Sequence, residues 1–101
     1  PDKMVICGDF NFTLDSVSYQ RMTAPFSDKI SDLFDAWNVV NSSGNRSPTC
    51  GVFDHKQWKN GPHCRDYFFL SENLIQQIQE VSVNTKTNAS DHQPIRLILG
   101  V

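Results

Sequence analysis

At 101 residues the chain holds one small domain with a single modest core. A hydrophobic share of 39% beside 20% charged residues excludes a disordered segment. A net charge of -2, with no basic run, excludes a dedicated grip on a long polyanion, so any hold on nucleic acid falls to a few placed side chains or to chain outside this stretch.

Residues 3–8, Lys-Met-Val-Ile-Cys-Gly, are an apolar run closed by Gly8 and read as a buried strand, with Cys7 a buried small hydrophobe. Such a strand needs neighbours on both sides. Its place at the start of the chain therefore points to partners outside it. Asp15 and Ser16 are candidate caps for a weak helical pattern over 15–24, which Pro25 ends. In 31–40, Leu33, Phe34, Trp37 and Val40 fall at helical spacing behind Ser31 or Asp32 as cap. Residues 41–48 are a polar loop, and 49–53 are a candidate short strand. Asn60-Gly61-Pro62 signals a turn. The aromatic run 65–71 reads as a strand, and 78–83 alternate as a half-exposed one. A polar loop covers 84–91, and Pro94 opens a last strand over 95–99, ended by Gly100. Strands dominate, with one or two helices and no repeat or linker.

The three cysteines, Cys7, Cys50 and Cys64, are odd in number and contain no Cys-x-x-Cys pair, which argues against a structural zinc site or a disulfide framework. A Cys50–Cys64 bridge stays open beside the simpler reading of reduced thiols in a cytoplasmic protein. The sequence has no signal peptide and no apolar run of membrane-spanning length.

Three segments carry candidate chemistry. In Gly8-Asp9-Phe10-Asn11, an extended backbone would project Asp9 and Asn11 to one side and Phe10 and Phe12 toward a core. A carboxylate and a carboxamide set together can hold a water and a phosphate oxygen. The same residues also suit a plain turn. Asp66 sits in the aromatic strand, where a buried carboxylate needs a partner. Arg65 points to the opposite face of a regular strand, so a histidine from a neighbouring segment is the better candidate. A solvent-facing Asp at a strand start is the alternative. In Ser90-Asp91-His92, Asp91 suits a hard divalent cation and His92 suits proton handling near neutral pH. A polar strand cap is the alternative there.

Taken in order, these segments resemble the endonuclease/exonuclease/phosphatase family of metal-dependent phosphoesterases. Gly8-Asp9-Phe10-Asn11 and Ser90-Asp91-His92-Gln93-Pro94 are the most specific parts, and the likeness runs along essentially the whole chain. It implies an α/β (α+β) fold: one half of a two-sheet sandwich, with a mostly antiparallel or mixed sheet and helices on one face. Residues 1–101 would be the C-terminal half of the domain. It implies metal-assisted phosphodiester hydrolysis with Mg²⁺ or Mn²⁺. Asp9 would orient or activate water and, with Asp91, hold the metal. Asn11 would bind a phosphate oxygen. His92 would contact the scissile phosphate or move a proton, with Asp66 fixing its tautomer.

The family's metal-binding glutamate has no counterpart, since Glu72 and Glu80 lie far from any such motif. Cys64 stands where the family often has arginine, which leaves Arg65 without an inherited role. The chain is therefore expected to need an N-terminal half of the same domain for activity. Phe10, Phe12, Phe68, Phe69 and Leu70 are expected to leave an apolar face open to self-association. A small phosphorylated or lipid substrate is the alternative to nucleic acid, and a non-catalytic interaction module is the alternative to an enzyme.

Overall fold

The computed structural model describes residues 3–24, 32–41 and 44–100. Pro25 and Ser31, expected to end one helix and cap the next, lie outside the described residues.

The elements in chain order are β1 (Val5–Asp9), α1 (Val17–Thr23), β2 (Leu33–Asp35), α2 (Ala36–Val40), β3 (Asp66–Ser71), a 3₁₀ turn (Glu72–Gln77), β4 (Ile78–Val83) and β5 (Ile95–Leu99). Strand β3 is central in a three-stranded antiparallel sheet of order β1-β3-β2, and β4 and β5 form a separate antiparallel pair. The fold is thus the expected mixture of helices and antiparallel strands, with the strands divided between two small sheets.

The alternation of β3 builds the core. Tyr67 and Phe69 face one side, where Leu33 and Cys64 are also buried and Phe10, Phe12 and Tyr19 pack against them. Leu70 faces the other side, with Ala36 and Leu74, and Phe68, Val81 and Leu97 close over it. The first side is an aromatic cluster: Phe12 stacks on Tyr67 at 5.3 Å and Phe10 meets Phe69 edge-on at 5.2 Å. Burial of each such ring contributes roughly 1.5–3 kcal/mol. The five residues expected to form an open apolar face are therefore turned inward. Phe69 and Leu70 are fully buried, and Phe10, Phe12 and Phe68 are partly covered.

Several local expectations change. Strand β1 is formed, but its side chains at Val5, Cys7 and Asp9 are exposed, because it lies at the sheet edge. Cys7 is an exposed free thiol rather than a buried hydrophobe. The helix expected over 31–40 is split. Leu33–Asp35 pairs with Ser71, Leu70 and Phe69, and the helix starts only at Ala36, behind Asp35 as cap. Strand pairing and burial of Leu33 override the helical spacing here. Asp35 ties the junction together: its carboxylate accepts from Trp37 N at 3.1 Å, Tyr19 Oη at 2.6 Å and Arg46 Nη1 at 2.6 Å. Helix α1 forms as expected, with Ser16 Oγ accepting from Tyr19 N at 3.1 Å.

The strand expected over 49–53 shrinks to one bridging residue. Cys50 bridges His63 on one side and His92 on the other. Thr49 O accepts from Gln93 N at 2.7 Å, and Cys50 O accepts from His63 N at 3.0 Å. Gly51 then turns the chain away at φ 75°, with the oxygen of Gly61 filling the place a Cβ would take. Residues 49–50 thereby pin two loops together. No helix among the described residues is long and apolar enough to cross a membrane.

Candidate active site

The antiparallel register of β1 on β3 sets Asp9 opposite Asp66, at the end of the sheet from which the 10–13 segment leaves. Two carboxylates opposed in this way repel unless a positive or hydrogen-bonding group joins them. His92, brought in by the Cys50 bridge, supplies it. Its Nδ1 lies 2.8 Å from Asp66 Oδ2 and 3.1 Å from Oδ1, and its Nε2 lies 3.7 Å from Asp9 Oδ2. Asp66 is almost enclosed, with a side chain 10% exposed. That of His92 is 25% exposed and that of Asp9 50%. The buried strand aspartate has the histidine partner that its sequence position called for.

The contacts determine the chemistry of the imidazole. A carboxylate only accepts, so Nδ1 carries the proton and Nε2 faces the open side. Partial burial works against charge on His92. The hydrogen bond from Nδ1 to Asp66, and the charges of Asp66, Asp9 and Asp91, outweigh it and raise the pKa above 6.5. The imidazolium therefore persists further into the neutral range than in water.

Asp9 and Asn11 do not share the extended geometry that their spacing allows. Asn11 takes φ 55° and donates its backbone N–H to Asp9 Oδ1 at 2.8 Å. This is an Asx-type turn, which short polar side chains tolerate. Both residues still belong to one end of the sheet, and Phe10 and Phe12 still reach the core. Asp91, next to His92 in the chain, is exposed, and its Oδ1 accepts from Ser90 Oγ at 3.3 Å.

Four further residues frame the site, and sequence reasoning assigned none of them a part. Arg65 donates from Nη1 to Asn11 Oδ1 at 2.9 Å and to Asn11 O at 3.1 Å. Its Nε donates to His63 Nε2 at 2.8 Å, and its guanidinium lies 4.7 Å over the Trp58 ring. Because arginine only donates, the Asn11 atom facing it is the oxygen, and the Asn11 amide hydrogens point elsewhere. Arg65 avoids Asp66, as strand alternation required, and holds Asn11 instead. Cys50 is buried under His92, with Sγ 3.4 Å from Nδ1. Burial first, then the nearby charge of Asp66, pushes its thiol up to about 11, so it is protonated at neutral pH. Loop pairing brings these residues in, and only the adjacency of Arg65 to Asp66 hinted at it. All three cysteines are free, which closes the Cys50–Cys64 alternative.

The donor set bears on which cation the site suits. Mg²⁺ and Mn²⁺ take oxygen ligands, typically with carboxylates and waters. Asp9 and Asp91 offer such oxygens from exposed positions. Among the described residues, Cys50, Asp66 and His92 are the grouping of three ligand atoms within 4.8 Å of one another. With one sulfur and one nitrogen, it does not suit a hard cation.

The sequence profile of the Endonuclease/Exonuclease/phosphatase family matches residues 1–92. An exodeoxyribonuclease of Bacillus subtilis (strain 168) is 27% identical over 113 residues, covering 97% of this chain and 45% of that relative. The chain thus spans about half the length of the curated relative it matches.

Proposed function

The chain belongs to the endonuclease/exonuclease/phosphatase family, and from that premise we propose that it carries the phosphate-facing part of a site for metal-assisted phosphodiester hydrolysis. The observation that carries this reading is His92 held between the buried Asp66 and the half-exposed Asp9. Asp66 fixes the imidazole so that Nε2 faces the substrate side. In its protonated form, Nε2–H donates to a phosphate oxygen and offsets charge that builds there in the transition state. The Asp9 carboxylate accepts a hydrogen bond from the attacking water and orients it. Asn11, with its oxygen occupied by Arg65, presents its amide hydrogens to a second phosphate oxygen. A bound Mg²⁺ or Mn²⁺ supplies neutralisation of phosphate charge, with Asp9 and Asp91 offering it oxygens.

Mg²⁺ is commonly held by one or two carboxylates, with waters and substrate phosphate oxygens completing its six ligands. Because the chain spans 45% of its relative and lacks a glutamate near the site, the reading also includes a contribution from an N-terminal half of the same domain. The exposed side chains of edge strand β1 offer a surface for that half or for a second copy of the chain. Nucleic acid is the favoured substrate class, because the relative is an exodeoxyribonuclease. The test is hydrolysis of a chromogenic phosphodiester by the full-length gene product and its His92→Ala variant, with Mg²⁺ and with EDTA. Activity lost with chelator and reduced at least about 100-fold by the substitution is expected. Activity indifferent to either would overturn the reading.

A further inference from the structure

Cys50, Asp66 and His92 lie 16 and 26 residues apart in pairs, so no ligand spacing announces them in the sequence. Their ligand atoms nevertheless converge. Cys50 Sγ is 3.4 Å from His92 Nδ1 and 3.9 Å from Asp66 Oδ2, and Nδ1 is 2.8 Å from Oδ2. A tetrahedral zinc site with bonds of about 2.0–2.3 Å has ligand-to-ligand edges of roughly 3.4–3.6 Å. The sulfur lies over the ring, 3.4 Å from Nδ1 and 3.8 Å from Nε2, and Nδ1 and Oδ2 are closer than such an edge, so the imidazole and the Cys50 side chain must rotate to set the three atoms at corners of one tetrahedron. The partly exposed His92 marks the open side, where a water completes the set.

We propose that Cys50, Asp66 and His92 form an inhibitory site for a borderline-soft dication of the zinc type, separate from the oxygen ligands offered to magnesium. The mixed sulfur, nitrogen and oxygen set is one that zinc accepts and magnesium does not. Binding releases the Cys50 thiol proton to solvent. In the neutral imidazole the Nδ1 proton is replaced by one on Nε2; in the imidazolium the Nδ1 proton is lost. Either way the Asp66–His92 hydrogen bond is broken and Nδ1 is bound to metal. The ring is then held by the metal and no longer oriented by Asp66 toward the substrate side. The inhibitory consequence rests on the proposed hydrolytic reading, but the binding site itself does not.

The test is a Cd²⁺ titration of the Cys7→Ser protein, in which the exposed thiol is removed, read by the ultraviolet thiolate-to-cadmium charge-transfer absorbance. A band saturating at one equivalent and displaced by Zn²⁺ is expected. Adding Cys50→Ser should abolish the band. His92→Ala, which keeps the thiol, should weaken Cd²⁺ binding at least tenfold against a competing chelator. Thermal melts of each variant establish that it is folded. In the unsubstituted protein, Zn²⁺ should shift the His92 imidazole resonances, a readout that needs no variant. A band that survives Cys50→Ser, binding unchanged by His92→Ala, or imidazole signals unmoved by Zn²⁺ would overturn the site. Failed hydrolysis beside a normal band would instead remove only the inhibitory role.

Discussion

An imidazole between two carboxylates holds its proton more tightly than one in water, and at His92 this outweighs the opposing effect of partial burial. Its folded pKa is raised above 6.5, so the stability it contributes is fully present below pH 6.5. That stability is lost as pH rises through the folded value. Titration of the His92 ring by NMR should therefore show a midpoint above 6.5, and Asp66→Asn should move it down. The same substitution should lower turnover by about 100-fold or more through the lost orientation of the ring, with the fold retained. At Arg65 the expected effect is different in kind. Arg65 touches Asn11, His63 and Trp58 and leaves the imidazole alone. Arg65→Ala should thus reduce kcat by freeing the Asn11 amide, while the NMR midpoint of His92 stays within a few tenths of its value. A midpoint displaced as far as in Asp66→Asn would contradict that division of roles.

Asp35 joins four pieces of the fold: it ends β2, caps α2, receives the Tyr19 hydroxyl from α1 and pairs with Arg46. The pair is enclosed, with side-chain exposures of 11% for Arg46 and 2% for Asp35. Removing one partner of an enclosed pair leaves the other charge uncompensated, so Asp35→Ala should cost about 3–5 kcal/mol in urea unfolding. Loss of the α1 cap in Ser16→Ala should cost only about 1 kcal/mol by the same measurement. Gly51 adopts φ 75° and faces Gly61 O at 2.3 Å from where a Cβ would stand. Gly51→Ala should therefore destabilise by more than the roughly 1–2 kcal/mol of a left-handed alanine. It should also disturb the Cys50 bridge that delivers His92, so its activity should fall further than that of Ser16→Ala. Equal activities in the two variants would show that the bridge does not position the site.

The molecule as a whole is built to keep several acids protonated. Burial chiefly raises the pKa of Cys50, to about 11, and also raises those of Cys64, Tyr19 and Tyr67. Each group's folded value lies above its unfolded one. The stability they contribute is present below about pH 9 and is lost as pH rises through the folded values. Thermal midpoints should therefore fall steeply above pH 9 and 10, and a flat profile to pH 11 would count against this packing. The exposed apolar side chains include Val5 on β1, Val17 on α1 and Val39 and Val40 on α2, and they do not come from the interior of the three-stranded sheet. Association, where light scattering detects it, should then respond to charge placed on β1, as in Val5→Lys, and not require opening of the aromatic core.

Local chemistry was legible from the sequence wherever one residue's neighbours in the chain decide the outcome. The aromatic run 65–71 and the alternation in 78–83 marked two strands, Ser16 marked a helix start, and Asn60-Gly61-Pro62 marked a turn. The order of Asp9, Asn11, Asp66, Asp91 and His92 carried the family resemblance; strand alternation turned Arg65 away from Asp66, and the cost of burying a carboxylate made a histidine from a neighbouring segment the candidate partner. Tertiary structure decided what depends on partners far along the chain. Pairing with β3 turned Leu33–Asp35 into strand against its helical spacing, because the strand hydrogen bonds and the burial of Leu33 outweigh a local preference. The edge position of β1 left Cys7 in solvent although its surroundings in sequence are apolar. Cys50, 16 residues from Asp66 and 42 from His92, entered the site only through a bridge between loops. Backbone pairing across such distances depends on the collective packing of the sheet, and no short stretch of sequence encodes it.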